Sequence, residues 1–201
     1  MKILLLWQRP FLISLIRVKP YLKEQFVTYK PKNEVIAKYI SYYYFHQSFD
    51  DNFKRSFVYY PHFKNTITIS KDAVAERTKT SSTYRSKKGN LEIYYNSNIN
   101  LKKSRHLIGQ LNKIGIVFTP LGINHFLNCE LSKISSKPEF DFFHFGEDFE
   151  NQLFQVYDTN DFNRKIELLD AFFTSKYNAD LDTRIIDAVE RIIQSKGGIT
   201  S

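Results

Sequence analysis

A single cysteine in 201 residues, Cys129, excludes an intrachain disulfide and makes a reducing compartment comfortable without requiring one. With no second thiol to resolve an oxidised one, and Glu130 beside it disfavouring a thiolate, Cys129 reads as a buried free thiol rather than a redox sensor. Long apolar runs are also missing. The stretch ILLLW at 3–7 is cut by Gln8, Arg9 and Pro10, too early for a secretory core or for the roughly 20 apolar residues of a membrane span. There is no G-x-S-x-G elbow and no phosphate loop, and Gly115 and Gly122 stand too far apart for a dinucleotide fingerprint. The five histidines, His46, His62, His106, His125 and His144, are scattered singly, so no pair has ligand spacing. These absences lead us to expect no catalytic residues, no metal, no cofactor and no enzymatic activity.

What is plentiful is aromatic: 18 Phe and 13 Tyr against one Trp. Rings in such number suit sheets and pocket walls. The net charge of +8 favours polyanionic partners, but its distribution tempers that reading. Lys54 to Arg105 is strongly basic, whereas Glu139 to Glu190 gathers acidic residues, so solvated surfaces or mutual docking account for the same charges. Aromatics interleaved with basic residues around Phe57, Tyr59, Tyr60 and Lys64 fit a one-sided core, and also a base-stacking surface.

Alternation and turn residues predict short strands at FVYYP, TITIS, LEIYY, around HLIG, and at KIGIVF, preceded by a strand-forming YYYFH. In the last of these Ile114, Ile116 and Phe118 share a face, Pro120 stops the strand and Gly122 supplies the sharp turn. Asn33 is a plausible cap for a helix with Val35, Ile36, Tyr39 and Ile40 on one face. Thr78 to Asn90, polar with little to bury, reads as a mobile loop. Asn160 or Asp161 caps a helix whose stripe is Phe162, Ile166, Leu169 and Phe173; Asp180 or Asp182 opens a final helix burying Ile185, Ile186, Val189, Ile192 and Ile193 on one side, and Gly197 stops it. The cluster FDFFHF at 140–145 is expected to pack back onto the sheet. The fold expected is α+β: a β-rich N-terminal domain, an antiparallel sheet or small cupin-like barrel, followed by C-terminal helices.

The segment Ile116-x-Phe118-x-Pro120-x-Gly122, within GIVFTPLGINHFL, resembles one late in the effector half of many AraC-type bacterial transcription regulators. Ile36, Tyr39, Ile40 and Tyr43 fit an early family segment. DTRIIDAVERIIQSKGGITS looks like the opening helix of the family's paired helix-turn-helix DNA-binding domain, and Ser201 precedes both recognition helices. The resemblance covers Tyr29 onward. It implies an extension at 1–25, a sensor domain at 26–147, a linker and dimerisation segment at 148–178 containing the Phe162 stripe, and a truncated helix-turn-helix domain at 179–201. It also implies a cytoplasmic regulator acting on operator DNA, with a small-molecule effector and a homodimer as further partners and no membrane association. Tyr43, Tyr59, His62 and Phe126, which mix apolar area with polar tips, are the candidate effector pocket, and Phe118, Pro120 and Gly122 the motif turn. The alternative is a cupin-like small-ligand-binding protein or enzyme, on fold-level analogy alone.

Overall fold

The computed structural model describes residues 24–60, 64–96, 102–127, 145–179 and 183–195. His62, His144, Cys129, most of the 140–145 aromatic cluster, Asp180, Asp182, Gly197 and the first 23 residues lie outside that set.

Seven strands form one sheet: β1 (Glu24–Tyr29), β2 (Ile40–Ser48), β3 (Lys54–Tyr59), β4 (Thr66–Arg77), β5 (Ser81–Asn96), β6 (Lys103–Ile108) and β7 (Leu111–Phe118), followed by helices α1 (Glu147–Asp158), α2 (Phe162–Lys176) and α3 (Thr183–Gln194). The fold is α+β, as expected. The strand order is β1-β2-β7-β4-β5-β6-β3. All pairs are antiparallel except β5 with β6, so the sheet is mixed rather than purely antiparallel.

The two outermost strands meet: Glu24 of β1 pairs with Arg55 of β3, so the sheet curls into a half-barrel and the face carrying both residues is its inside. Period-2 alternation divides the side chains between this concave face and the opposite one. Tyr43, Phe45, Ile67, Ile69, Ile93, Tyr95, Ile114, Ile116 and Phe118 lie on the opposite face and form one core with Phe149, Leu153 and Val156 of α1 and Ile166, Leu169 and Phe173 of α2. Both helices therefore seal that face by burying apolar area. Phe145, the described residue of the aromatic cluster, packs on Phe149, Phe172 and Phe173, against helices rather than strands.

Three expectations are corrected. Residues 78–90 are not a free loop: a tight turn, in which the Thr78 amide donates to Ser81 O (2.8 Å), feeds directly into β5. The polar Lys87-Lys88-Gly89-Asn90 stretch bulges from that strand and is pinned by Asp72, whose Oδ1 accepts from the Gly89 amide (2.7 Å). Cross-strand partners thus order a segment whose composition reads as loop. The Asn33 cap is real, with Oδ1 accepting from the Val35 and Ile36 amides, but it starts only a 3-10 turn, Ile36–Lys38, because β2 claims the residues from Ile40 on. Ile36 and Ile40 are buried while Val35 is exposed. In α3, Ile192 is 53% exposed rather than buried.

Candidate functional site

β2, β7, β4 and β5 lie side by side, and their register aligns inward residues in rows. One row is Tyr44, Gly115, Thr68 and Tyr94; the next is His46, Lys113, Ser70 and Glu92. Gly115 is required in the first row: a Cβ there would run into the Tyr44 ring, which lies against the strand. Arg105 of β6 sits opposite Ser82 of β5 and Phe57 of β3, and so joins the same interior. Phe53, Tyr84, Tyr94, Leu107 and Leu111 form a small second core around it.

The charges here are unusual for a sheet interior, since Lys and Arg are almost never fully buried unless paired. Lys113 is 3% exposed and Arg105 6%. Arg77 is answered by a carboxylate, its Nη2 donating to Glu92 Oε2 (2.6 Å) while Glu92 Oε1 accepts from the Ala75 amide. Arg105 and Lys113 form no ion pair with a carboxylate among the described residues. Their counterpart is a phenol: Arg105 Nη1 donates to the Tyr94 hydroxyl (2.9 Å). The cations also lie over rings, Arg77 4.8 Å from the Tyr94 centroid, Arg105 4.9 Å from Tyr59 and Lys113 5.0 Å from Tyr84.

The titration behaviour follows from this packing. Burial opposes ionisation of Tyr94, but Arg105 and Lys113 together outweigh it and bring the phenol down to about 7. Burial lowers Lys113 to about 8, with the Tyr94 charge pulling the other way and Arg105 reinforcing the fall. Tyr84 goes the opposite way, raised by burial and by the Tyr94 charge beside it. Three polar atoms in this region have no hydrogen-bond partner: Ser70 Oγ, Arg77 Nε and Arg105 Nε. Buried polar atoms are almost always satisfied, so three orphans on or beside one concave face are an unusual concentration of unmet hydrogen-bonding capacity.

The residues singled out from the sequence are not gathered into one pocket. Tyr43 lies on the helix-covered face, where its hydroxyl donates to Asp170 Oδ1 (2.7 Å). Phe126 is on that side too, edge-on to Phe173 at 4.9 Å. Of the three that are described, Tyr59 alone reaches the concave interior, against Arg105. His46, His106 and His125 are each engaged separately, with Glu24 Oε1 (2.5 Å), Ser56 Oγ (2.9 Å) and Asn178 O (3.1 Å). Among the described residues no three His, Cys, Asp or Glu groups converge as a metal site.

The motif turn is an anchoring device. Phe118 enters the core, Leu121 takes the left-handed backbone conformation (φ 60°), and Gly122 lies so close to Tyr39 O that a Cβ would collide with it. The freedom expected of Gly122 is thus used for close approach, and Leu121 makes the left-handed turn. The α2 stripe is also accounted for: Ile166, Leu169 and Phe173 are buried in the domain's own core, and Phe162 stacks on Tyr29 at 5.5 Å.

Reasoning from the sequence missed Arg77, Tyr94, Arg105 and Lys113. The signal was faint but present, for Lys113 shares a strand face with Gly115 and Val117 in an otherwise apolar run, where a lysine needs a reason.

The fold and its interior define a class: a curled α+β sheet sealed by helices on one side, with a buried cationic, tyrosine-rich concave face. No family model, curated protein or solved structure matches the chain.

Proposed function

We propose that this chain is the sensing part of an AraC-like transcription regulator and takes its small-molecule effector on the concave face of the half-barrel. The observation that carries the reading is the interior itself: buried Arg105 and Lys113 without a carboxylate partner among the described residues, and orphaned polar atoms at Ser70 and Arg105. A domain selected only for stability would fill such a place with apolar side chains, since buried charges cost more than they return. The order of parts also suits the role. The ligand-holding sheet comes first, and α1 and α2 follow on its other face, so a ligand that favours one packing of sheet on helices biases whatever α2 leads to. Operator DNA is contacted, in this reading, by helices encoded beyond Ser201. A homodimer fits it too, seated elsewhere than on the α2 stripe, which the sheet already occupies.

Two measurements test it. The reading frame downstream of Ser201 should encode two helix-turn-helix units. A metabolite screen by thermal denaturation should find at least one compound that raises the Tm by about 3 °C or more, the effect of roughly 1 kcal/mol on a chain of this size. A frame that stops at once, with a flat screen, removes the proposal.

A further inference from the structure

Charge arithmetic narrows what the interior takes. Arg77 and Glu92 cancel. Arg105 and Lys113 contribute two positive charges, and Tyr94 offers at most one negative charge in return. The cations stay in excess whether or not Tyr94 is ionised, in a place where Lys113 and Ser70 face each other across adjacent strands and Arg105 Nε and Ser70 Oγ each lack a partner. Ser70 is 0% and Arg105 6% exposed, so the unsatisfied atoms point into protein and not into water. A single negative charge with two acceptor oxygens answers this arrangement, because a carboxylate accepts from several donors at once. The surrounding rings of Tyr44, Tyr59 and Tyr84 suit a flat organic body attached to it.

We propose that the concave site recognises a small organic monocarboxylate, its carboxylate held by Arg105, Lys113 and Ser70, with Tyr94 as the built-in counter-charge that it replaces. This inference rests on the sensing role proposed above and gives it a ligand class. Tyr94 partly neutralises the two cations. An incoming carboxylate takes over that task and repels the phenolate, so Tyr94 takes up a proton from solvent as the ligand binds. The groups facing Tyr94 are Tyr44 from β2, Tyr59 from β3, Arg77 from β4, Tyr84 and Glu92 from its own strand, Arg105 from β6 and Lys113 from β7, with His46 next to Lys113. Across neutral pH the two that change charge in the direction of this coupling are Tyr94 and Lys113. Both oppose an anion as pH rises, the first by ionising and the second by losing its proton.

The test uses the whole chain with benzoate, its neutral amide benzamide, and inorganic phosphate, between about pH 6 and pH 9, following Tm and the near-ultraviolet absorbance of tyrosinate. Benzoate is expected to raise the Tm, to shift tyrosinate formation to higher pH, and to bind roughly tenfold more weakly at the alkaline end. Lys113→Met and Arg105→Lys should each weaken benzoate roughly tenfold or more. Tyr94→Phe, which keeps the ring packing, should keep benzoate binding but lose the proton uptake. Benzamide acting as well as benzoate would sink the anion site and leave the sensing role standing. Phosphate preferred over benzoate would overturn the carboxylate class. Benzoate binding that Lys113→Met and Arg105→Lys both leave untouched would place it outside this site. Silence from all three probes would also end the inference, while the downstream reading frame and the metabolite screen judge the sensing role separately.

Discussion

Asp170, buried on the helix-covered face, accepts three hydrogen bonds from the segment around β2. Its Oδ2 accepts from the Lys32 and Asn33 amides (2.7 and 2.9 Å) and its Oδ1 from the Tyr43 hydroxyl, so one carboxylate ties α2 to the segment before β2 and to β2 itself. Hydrogen bonds to a charged group contribute about 1.5–3 kcal/mol each, and removing the acceptor strands buried donors. Asp170→Ala should therefore cost about 3 kcal/mol and lower the Tm by about 6–12 °C by thermal denaturation. Lys165, buried one turn earlier in α2, is a different case. Its Nζ donates to the Val156 carbonyl (2.6 Å) at the end of α1, and burial lowers its pKa to about 8 with Lys71 reinforcing the fall. It serves as a staple between the two helices.

Among elements, the turn after β7 is the most tightly specified. Thr119 Oγ1 donates to Tyr39 O (3.1 Å), the Thr119 amide donates to the same carbonyl (2.9 Å), and Gly122 packs directly against it. The turn thus locks the 3-10 segment Ile36–Lys38 over the end of the sheet. A methyl group at 122 would run first into the Tyr39 carbonyl, which is backbone and cannot swing away, and then into Thr119 Oγ1; overpacking of this kind costs about 1–3 kcal/mol. Gly122→Ala should lower the urea midpoint by that cost divided by the slope, with the slope itself unchanged. The family-like motif and the packing requirement coincide at these residues, so the motif is legible as structure even before any function is assigned to it.

For the whole molecule, the unusual quantity is the response of stability to alkali. Tyr94 falls from 10.0 to about 7, Lys113 from 10.5 to about 8, and Lys165 from 10.5 to about 8. In each case the unfolded chain holds a proton that the folded one has released, over the window between the two values. Stability then rises with pH there and is lost as pH falls through the folded values. We expect the Tm to climb between about pH 7 and pH 9.5 by at least about 2 °C, where most proteins are flat or declining. Towards acid the trend continues downward: His46 is kept neutral by burial against the pull of Glu24, so protonating it below its usual 6.5 destabilises the fold. Scanning calorimetry across that range checks both arms, and a Tm maximum near pH 6 would contradict the assignment of buried charges.

The sequence by itself determined the strands around Tyr43, Ile67, Ile93 and Ile116 and the helix from Phe162, because alternation and 3.6-residue periodicity are local properties that burial only has to select. Ile114, Ile116 and Phe118 already declare a buried strand, Asp161 already caps α2 through the Asn163 amide, and Phe162, Ile166, Leu169 and Phe173 already form a stripe. Only the tertiary structure decided what the stripe covers, and that the polar run from Thr78 to Asn90 turns and becomes a strand. It also decided that Tyr43 and Phe126 turn away from the interior. The concave site was hidden for the same reason. Arg77, Tyr94, Arg105 and Lys113 come from four successive strands, and their mutual charge exists only once sheet register sets them beside one another. A buried cation leaves no local mark in a sequence, because its cost and its compensation are both properties of the space the folded chain encloses.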